Sequence, residues 1–189
     1  HAGGKFGSGS YPVSGGLHGV GVSCVNALSS SLEVEVWRGG RRWQMAFARG
    51  EITAPLADTG ATERRGTRLR FTPDPEIFSG DRSIDREVVA RRLQELAFLH
   101  PGVSIRLVDE RDDFAETYQY EDGILGFVAH LNRHRTALHP QPIHLQHAAS
   151  GVQIELAMQW TTSYAEDIST YVNSIHTAQG GTHLKGLKR

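Results

Sequence analysis

A single cysteine, Cys24, stands among the 189 residues, so no internal disulfide can form and a reducing compartment is the simple expectation. No apolar run approaches the roughly 18 residues of a membrane helix, and no signal-peptide pattern is present. The chain is therefore expected to be cytoplasmic, with no membrane partner. Charge of one sign is not in excess either: 20 Lys and Arg face 21 Asp and Glu, for a formal net charge of −1. That balance carries no overall footprint for nucleic acid, so this segment by itself is not expected to hold DNA strongly. Internal repeats and low-complexity tracts are absent. What remains is ordinary for a folded protein, with 39% hydrophobic and 22% charged residues, enough for a buried core.

Glycine is placed unevenly. Ser14-Gly15-Gly16-Leu17-His18-Gly19-Val20-Gly21-Val22-Ser23 puts four glycines in seven positions, directly ahead of a helical pattern over 20–30. Glycine takes positive φ freely and lets a ligand approach the backbone. A glycine-rich turn entering a helix aims free N–H groups and the positive end of the helix dipole at one point, which suits a phosphate. Two familiar phosphate loops do not fit. No Lys-Ser or Lys-Thr pair follows, as a Walker loop requires, and 16–21 is G-x-x-G-x-G, the dinucleotide spacing reversed. From glycine count alone, a tight turn capping a helix is an equal reading.

The rest of the pattern is mixed α and β. Residues 32–37 alternate with period two and predict a strand; 38–41, Arg-Gly-Gly-Arg, predict a hairpin turn, and 42–49 its partner. Residues 51–65, with Pro55, Asp58 and Gly60, predict a loop, followed by a strand over 67–71 closed by Pro73 and Pro75. Asp85 opens a helix with Val88, Val89, Leu93, Leu96 and Leu99 on one side, ended by Pro101-Gly102. A hairpin over 103–108 and 114–120 follows, then a helix over 124–133. Beyond an irregular stretch with Pro140 and Pro142, two longer strands are expected, 152–160 and 167–175, and a helix starts near Gly186. A domain boundary is placed near Asp122.

Taken with its flanks, His1-Ala2-Gly3-Gly4-Lys5-Phe6 and Tyr11-Pro12-Val13, the glycine loop resembles the nucleotide lid of the B subunits of bacterial type II DNA topoisomerases, gyrase and topoisomerase IV. These belong to the GHKL ATPases. Further matches follow in order: Arg65-Gly66-Thr67, Phe71-Thr72-Pro73-Asp74-Pro75, Arg92-Leu93-Gln94-Glu95-Leu96, Tyr120-Glu121-Asp122-Gly123-Ile124, and Gly180-Gly181-Thr182-His183-Leu184. The resemblance implies an α+β fold: the C-terminal part of a GHKL α/β sandwich over 1–122, then over 123–189 the start of a transducer domain that folds like part of a ribosomal protein.

The same resemblance implies ATP as cofactor and assigns roles. Gly4 and Lys5 would form a hinge near the phosphates, and Tyr11 would lie by the adenine. The backbone of Leu17, His18, Gly19, Val20, Gly21 and Val22 would wrap the phosphates. Thr67 would bond the adenine edge through water and a carboxylate. The family's general-base glutamate, its Mg²⁺-holding asparagine and its adenine-reading aspartate all precede the lid, so no catalytic residue is assigned here and the Mg²⁺ ligand lies outside. The transducer lysine would lie beyond Arg189. A start at His1 within a motif, without Met, and a stop at Arg189 as a helix begins are read as cuts. The implied partners are the gyrase A protein in an A2B2 assembly, a second B subunit on ATP binding, and DNA through the whole enzyme. The topoisomerase IV counterpart is the close alternative. A non-catalytic GHKL nucleotide-sensing module is the remoter one, disfavoured by the Gly-Gly-Thr-His element.

Other features are weaker. His130 and His134 have the spacing of a zinc helix, but Leu131 replaces the glutamate and no third ligand follows, so no metal site is expected. Pro12 stands where the family commonly has lysine, removing one charge and one N–H from the lid. Cys24 replaces a common valine and is expected to pack as a small hydrophobe.

Overall fold

The computed structural model describes residues 19–80 and 83–189, and the chain divides into two compact units between Ser83 and Ile84. The first unit runs α1 (Gly21–Ala27), β1 (Ser29–Arg38), β2 (Arg41–Ala48), β3 (Glu51–Ala61) and β4 (Gly66–Pro73). Its strands form one antiparallel sheet in the order β3-β2-β1-β4. The second contains α2 (Arg86–Leu99), β5 (Ile105–Asp109), β6 (Phe114–Tyr118), α3 (Gly123–Leu131), β7 (Ile143–Ala149), β8 (Val152–Met158), β9 (Tyr171–Val172), β10 (Ile175–His176) and α4 (Gly181–Leu187). Here the strands pair only as hairpins, β5 with β6, β7 with β8 and β9 with β10.

Two-residue turns set the register of four hairpins. Gly39-Gly40, Arg49-Gly50, Ser150-Gly151 and Asn173-Ser174 all have positive φ at both positions, with Arg38↔Arg41, Ala48↔Glu51, Ala149↔Val152 and Val172↔Ile175 paired around them. This is the turn whose twist matches that of the strands it joins. Only the first is evident from its glycine pair.

Residues 51–65 are not a loop. β3 occupies Glu51–Ala61 as an edge strand. Pro55, a poor strand residue, sits where the β2–β3 register shifts between the Gln44 and Ala46 pairs, so its missing N–H disturbs no regular rung. The expected 167–175 strand is likewise broken, because Asn173-Ser174 reverse the chain and leave two short strands. Residues 143–149, expected to be irregular beside two prolines, form β7. α1 ends at Ala27 because Ser29 already pairs with Pro73 of β4. The final helix, α4, starts at Gly181 rather than near Gly186.

Among the described residues of the first unit, Leu32, Ser29 and Asp74 are fully buried. Leu32 lies between Phe47 and Phe71, in register on β2 and β4. Asp74 accepts from Arg49 Nε at 2.6 Å and from the Glu76 N–H at 2.9 Å, while its own N–H donates to Leu28 O at 3.0 Å. The same Arg49 donates its backbone N–H to Ser29 O at 2.8 Å and reaches Glu76 with Nη2 at 2.6 Å. One residue, Asp74, thus joins the end of α1 through its backbone to the β2–β3 turn and the end of β4 through its carboxylate.

In the second unit Asp85 caps α2, its Oδ1 accepting from the Glu87 and Val88 N–H groups at 2.9 and 3.2 Å. Ala97 and Phe98 are the buried residues of α2; of the expected apolar stripe, Val88 is exposed and Leu93, Leu96 and Leu99 are half-buried or better. Phe98 stacks on Tyr120, with ring centroids 3.6 Å apart, and on Phe127 of α3. His130 closes the cluster at 5.4 Å from Phe98, and burial lowers its basicity. Gly123 opens α3 with φ +56, and a Cβ there would lie 3.1 Å from Pro101 Cγ.

Gly123→Ala is expected to destabilise the chain by about 1–3 kcal/mol, from the left-handed backbone and the contact with Pro101, as read by denaturant unfolding. Arg49→Gln removes the guanidinium that neutralises the buried Asp74 carboxylate. It should lower the melting temperature well beyond the change for Arg38→Gln, an exposed arginine; equal shifts would show that the Asp74 junction carries no special weight.

Candidate functional site

Of the lid residues assigned from sequence, Gly4, Lys5, Tyr11, Leu17 and His18 lie outside the described residues. Gly19, Val20, Gly21 and Val22 are described. Gly19 takes φ +63, and Val20 forms the N-cap of α1 without any side-chain cap. No acidic residue occupies the first turn. The first intrahelical bond is Cys24 N–H to Val20 O at 2.8 Å, so the N–H groups of Gly21, Val22 and Ser23 have no acceptor within the helix. A Cβ at Gly21 would meet nothing within 4 Å, and residues 20–24 are exposed. Among the described residues the end of α1 is therefore open, uncharged and rich in donors, which suits an anionic group. With seven residues its dipole is short, and the donors themselves supply most of the attraction.

Thr67 lies on β4 opposite Val36 of β1 and is exposed. Val36 is the eighth residue of β1, so Thr67 sits at the far end of the sheet from the α1–β1 junction at Ser29. Cys24, expected to pack, is exposed on α1.

The histidine pair is separated by structure. His130 is on α3, which ends at Leu131, and His134 lies beyond it. Among the described residues no three metal-ligating side chains converge. His139 is held as a connector instead, its Nε2 accepting from the Trp160 N–H at 3.0 Å while Nδ1 lies 2.7 Å from Gln141 O.

The Gly-Gly-Thr-His element begins α4. Gly180 and Gly181 take φ +81 and +67, and a Cβ at Gly180 would fall 2.6 Å from Leu184 Cδ2. Both glycines are thus needed for the close return of the helix over its own start. Thr177 links this corner to the β9–β10 hairpin, bonding Thr170 Oγ1 at 2.6 Å and lying 3.4 Å from His183 Nε2. Glu95 of α2 meets that hairpin: Tyr171 OH donates to one carboxylate oxygen and Arg92 holds the other. Burial and the adjacent Glu95 push the Tyr171 phenol up to about 12. The residue spacing gives no sign of this link across 76 positions.

A charged hollow over Asp85, Arg86, Glu87, Asp109, Arg111 and Asp112 sets two arginines against four carboxylates, of which Asp109 and Asp112 are paired with them. Arg111 bonds Asp109 from Nε and Nη2, and this fork, offset in part by desolvation, holds the Asp109 carboxyl at about 2. A depressed carboxylate adds stability above its unfolded value near 3.9, and that contribution is lost as pH falls through about 2. Asp109→Asn should therefore flatten the loss of stability between about pH 4 and 2, measured by urea unfolding across that range.

Comparison with known proteins agrees with the geometry. The family model described as DNA gyrase B matches residues 123–189. The B subunit of DNA gyrase from Clostridium acetobutylicum is 47% identical over 189 residues, all of this chain and 30% of the relative. Its counterpart from Streptococcus pyogenes serotype M3 is 47% identical over 190 residues, covering 29% of it. The chain thus spans about 30% of the length of the curated relatives it matches. Among solved structures, the 43K ATPase domain of Thermus thermophilus gyrase B, in complex with an aminocoumarin, superposes with TM-score 0.80 and 38% identity, over 90% of this chain and 47% of that one. The B-subunit of the DNA gyrase from Myxococcus xanthus gives TM-score 0.78 and 28% identity, over 85% and 48%. An end-to-end match to gyrase B proteins, on the fold of their ATPase region, shows that the chain belongs to the DNA gyrase B family.

Proposed function

We propose that this chain is the lid-and-transducer portion of an ATP-driven gyrase B protein, part of an enzyme that supercoils DNA by passing one duplex through another. The observation that carries the proposal is the uncapped start of α1 after a left-handed glycine, on a chain alike throughout to gyrase B. In this reading the backbone of Leu17, His18, Gly19, Val20, Gly21 and Val22 donates to the nucleotide phosphates. Lys5 beside Gly4 adds a positive charge, Tyr11 lies by the adenine, and Thr67 bonds the adenine edge. Mg²⁺ would be held by an asparagine outside the chain, and the water-orienting glutamate would also lie outside it. Hydrolysis supplies the energy; these residues bind and enclose the phosphates and exclude water around them.

The boundary between ATPase and transducer portions is proposed at Asp122-Gly123. The start of the matching family model at residue 123 supports it. Glu95–Tyr171 then joins the last ATPase helix to the transducer. A cytoplasmic enzyme is proposed, assembled with gyrase A as A2B2, whose B subunits pair on binding ATP.

The purified 189-residue chain should show no ATP turnover, because the general base is lacking; turnover free of contaminating enzyme would overturn that. In the full-length protein, Gly19→Val forces a β-branched residue to φ near +63. It should weaken ATP binding about tenfold or more, together with a fall in melting temperature from the β-branched residue at positive φ. Unchanged affinity would remove α1 from the nucleotide site. For the complete subunit with its partner, ATP-dependent supercoiling identifies gyrase, whereas decatenation without supercoiling identifies topoisomerase IV.

A further inference from the structure

One side of α2 carries two joints of different kinds. Phe98 is buried and stacks on Tyr120, with ring centroids 3.6 Å apart, and on Phe127 of α3 at 5.2 Å. One turn earlier the helix grips the β9–β10 hairpin through Glu95. Tyr171 OH donates to one of its carboxylate oxygens, and Arg92 donates to the other. Residues 92, 95 and 98 are spaced by three, so they follow one another along the same side of the helix. Stacked rings resist separation but tolerate sliding and rotation, because their attraction is spread over many atoms. A hydrogen bond fixes both a distance and a direction.

The hairpin that Glu95 holds is continuous with the start of α4. β9 and β10 are joined by two pairs, Val172↔Ile175 and Tyr171↔His176. Beyond them the Thr177 N–H donates to Thr170 O at 2.8 Å, and the Gly180 N–H donates to Thr177 O at 2.8 Å. These bonds lead from the hairpin into the left-handed Gly180-Gly181 corner. So short a hairpin is not stable alone, and its placement depends on the tie to α2. Glu95 suits that task. Its side chain is only 20% exposed, so water competes little for its oxygens, and the bond from Arg92 fixes its orientation. The Tyr171 phenol, pushed up to about 12 by burial and by Glu95, stays a donor well into alkaline solution.

We propose that Glu95 is a positioning residue, a catch on Tyr171 that holds the Gly-Gly-Thr-His corner in fixed relation to α2 and so sets how much of each ATP-driven step reaches strand passage. The proposal rests on the gyrase reading for what is coupled, whereas the catch itself rests on the contacts around α2. The test uses the full-length protein in complex with gyrase A. Tyr171→Phe deletes the hydroxyl and keeps the ring that lies 5.5 Å from His176. It should leave the KM for ATP and the ATPase kcat within about twofold. Supercoils introduced per ATP hydrolysed should fall about tenfold, the weight of one hydrogen bond to a charged group. Glu95→Ala should show the same deficit, and the double variant no more than either alone, as expected for two halves of one contact. Glu95→Gln, whose amide oxygen still accepts from Tyr171, should retain most of the coupling. If Glu95→Ala fails to fold, Tyr171→Phe and Glu95→Gln carry the comparison.

An unchanged number of supercoils per ATP in Tyr171→Phe overturns the proposal. So does a fall of ATPase and supercoiling in equal proportion with a lower melting temperature, which marks a contact that only stabilises. Additive losses in the double variant overturn it as well. An unsubstituted enzyme that hydrolyses ATP but never supercoils retires the gyrase reading instead, and hydrogen exchange of the full-length protein then judges the catch. Exchange over 170–181 should speed about tenfold in Tyr171→Phe while exchange over 123–131 stays the same; unchanged exchange over 170–181 sinks the catch.

Discussion

The Asp74 carboxylate is the constraint on which the first unit depends. It is almost fully buried, and a buried charge is tolerated only when paired and hydrogen-bonded. Its partners come from three places in the chain: Arg49 in the β2–β3 turn, the Glu76 N–H just beyond β4, and Leu28 at the end of α1 through the Asp74 backbone. Meeting those demands leaves α1 little freedom at its C-terminal end. The opposite end of α1, where the free N–H groups are, inherits that placement. A junction at the C-terminal end of α1 thereby fixes where its N-terminal donors stand.

The second unit is held by small, separate means. Its hairpins do not join into one sheet, and two-stranded hairpins are marginal alone. Stacked rings of Phe98, Tyr120 and Phe127 hold α2 against α3, and the Arg92–Glu95–Tyr171 chain ties α2 to the β9–β10 hairpin. The Thr170–Thr177–His183 contacts continue that line to the start of α4. Polar links of this kind are directional, so they transmit position where a loose apolar contact would permit sliding.

Much of the fold was legible because local chemistry and tertiary packing agree. Gly39-Gly40 announces its turn, Asp85 its cap, and the period-two stretch 32–37 its strand, since each rests on neighbours in sequence. The misreadings share a cause. β3 looks like a loop because Pro55, Asp58 and Gly60 are poor strand residues, and an edge strand with register shifts accepts them. The 167–175 stretch looks like one strand because Asn and Ser seldom advertise a left-handed turn as glycine does. Burial deceived as well: Cys24 looks apolar in its helix and is exposed.

By itself the sequence determined the phosphate-suited glycine turn, its order relative to the Gly-Thr and Gly-Gly-Thr-His elements, and hence the family, because these depend on residue type and spacing along the chain. Charge placement depended on strand pairing. The sequence shows balanced totals, and only the β3-β2-β1-β4 order brings Arg38, Arg41, Arg42, Arg64 and Arg65 to one end. The Glu95–Tyr171 link and the Arg49–Asp74 junction were decided in the same way. Each joins groups far apart in sequence, and no local signal records a contact whose geometry is supplied by the fold.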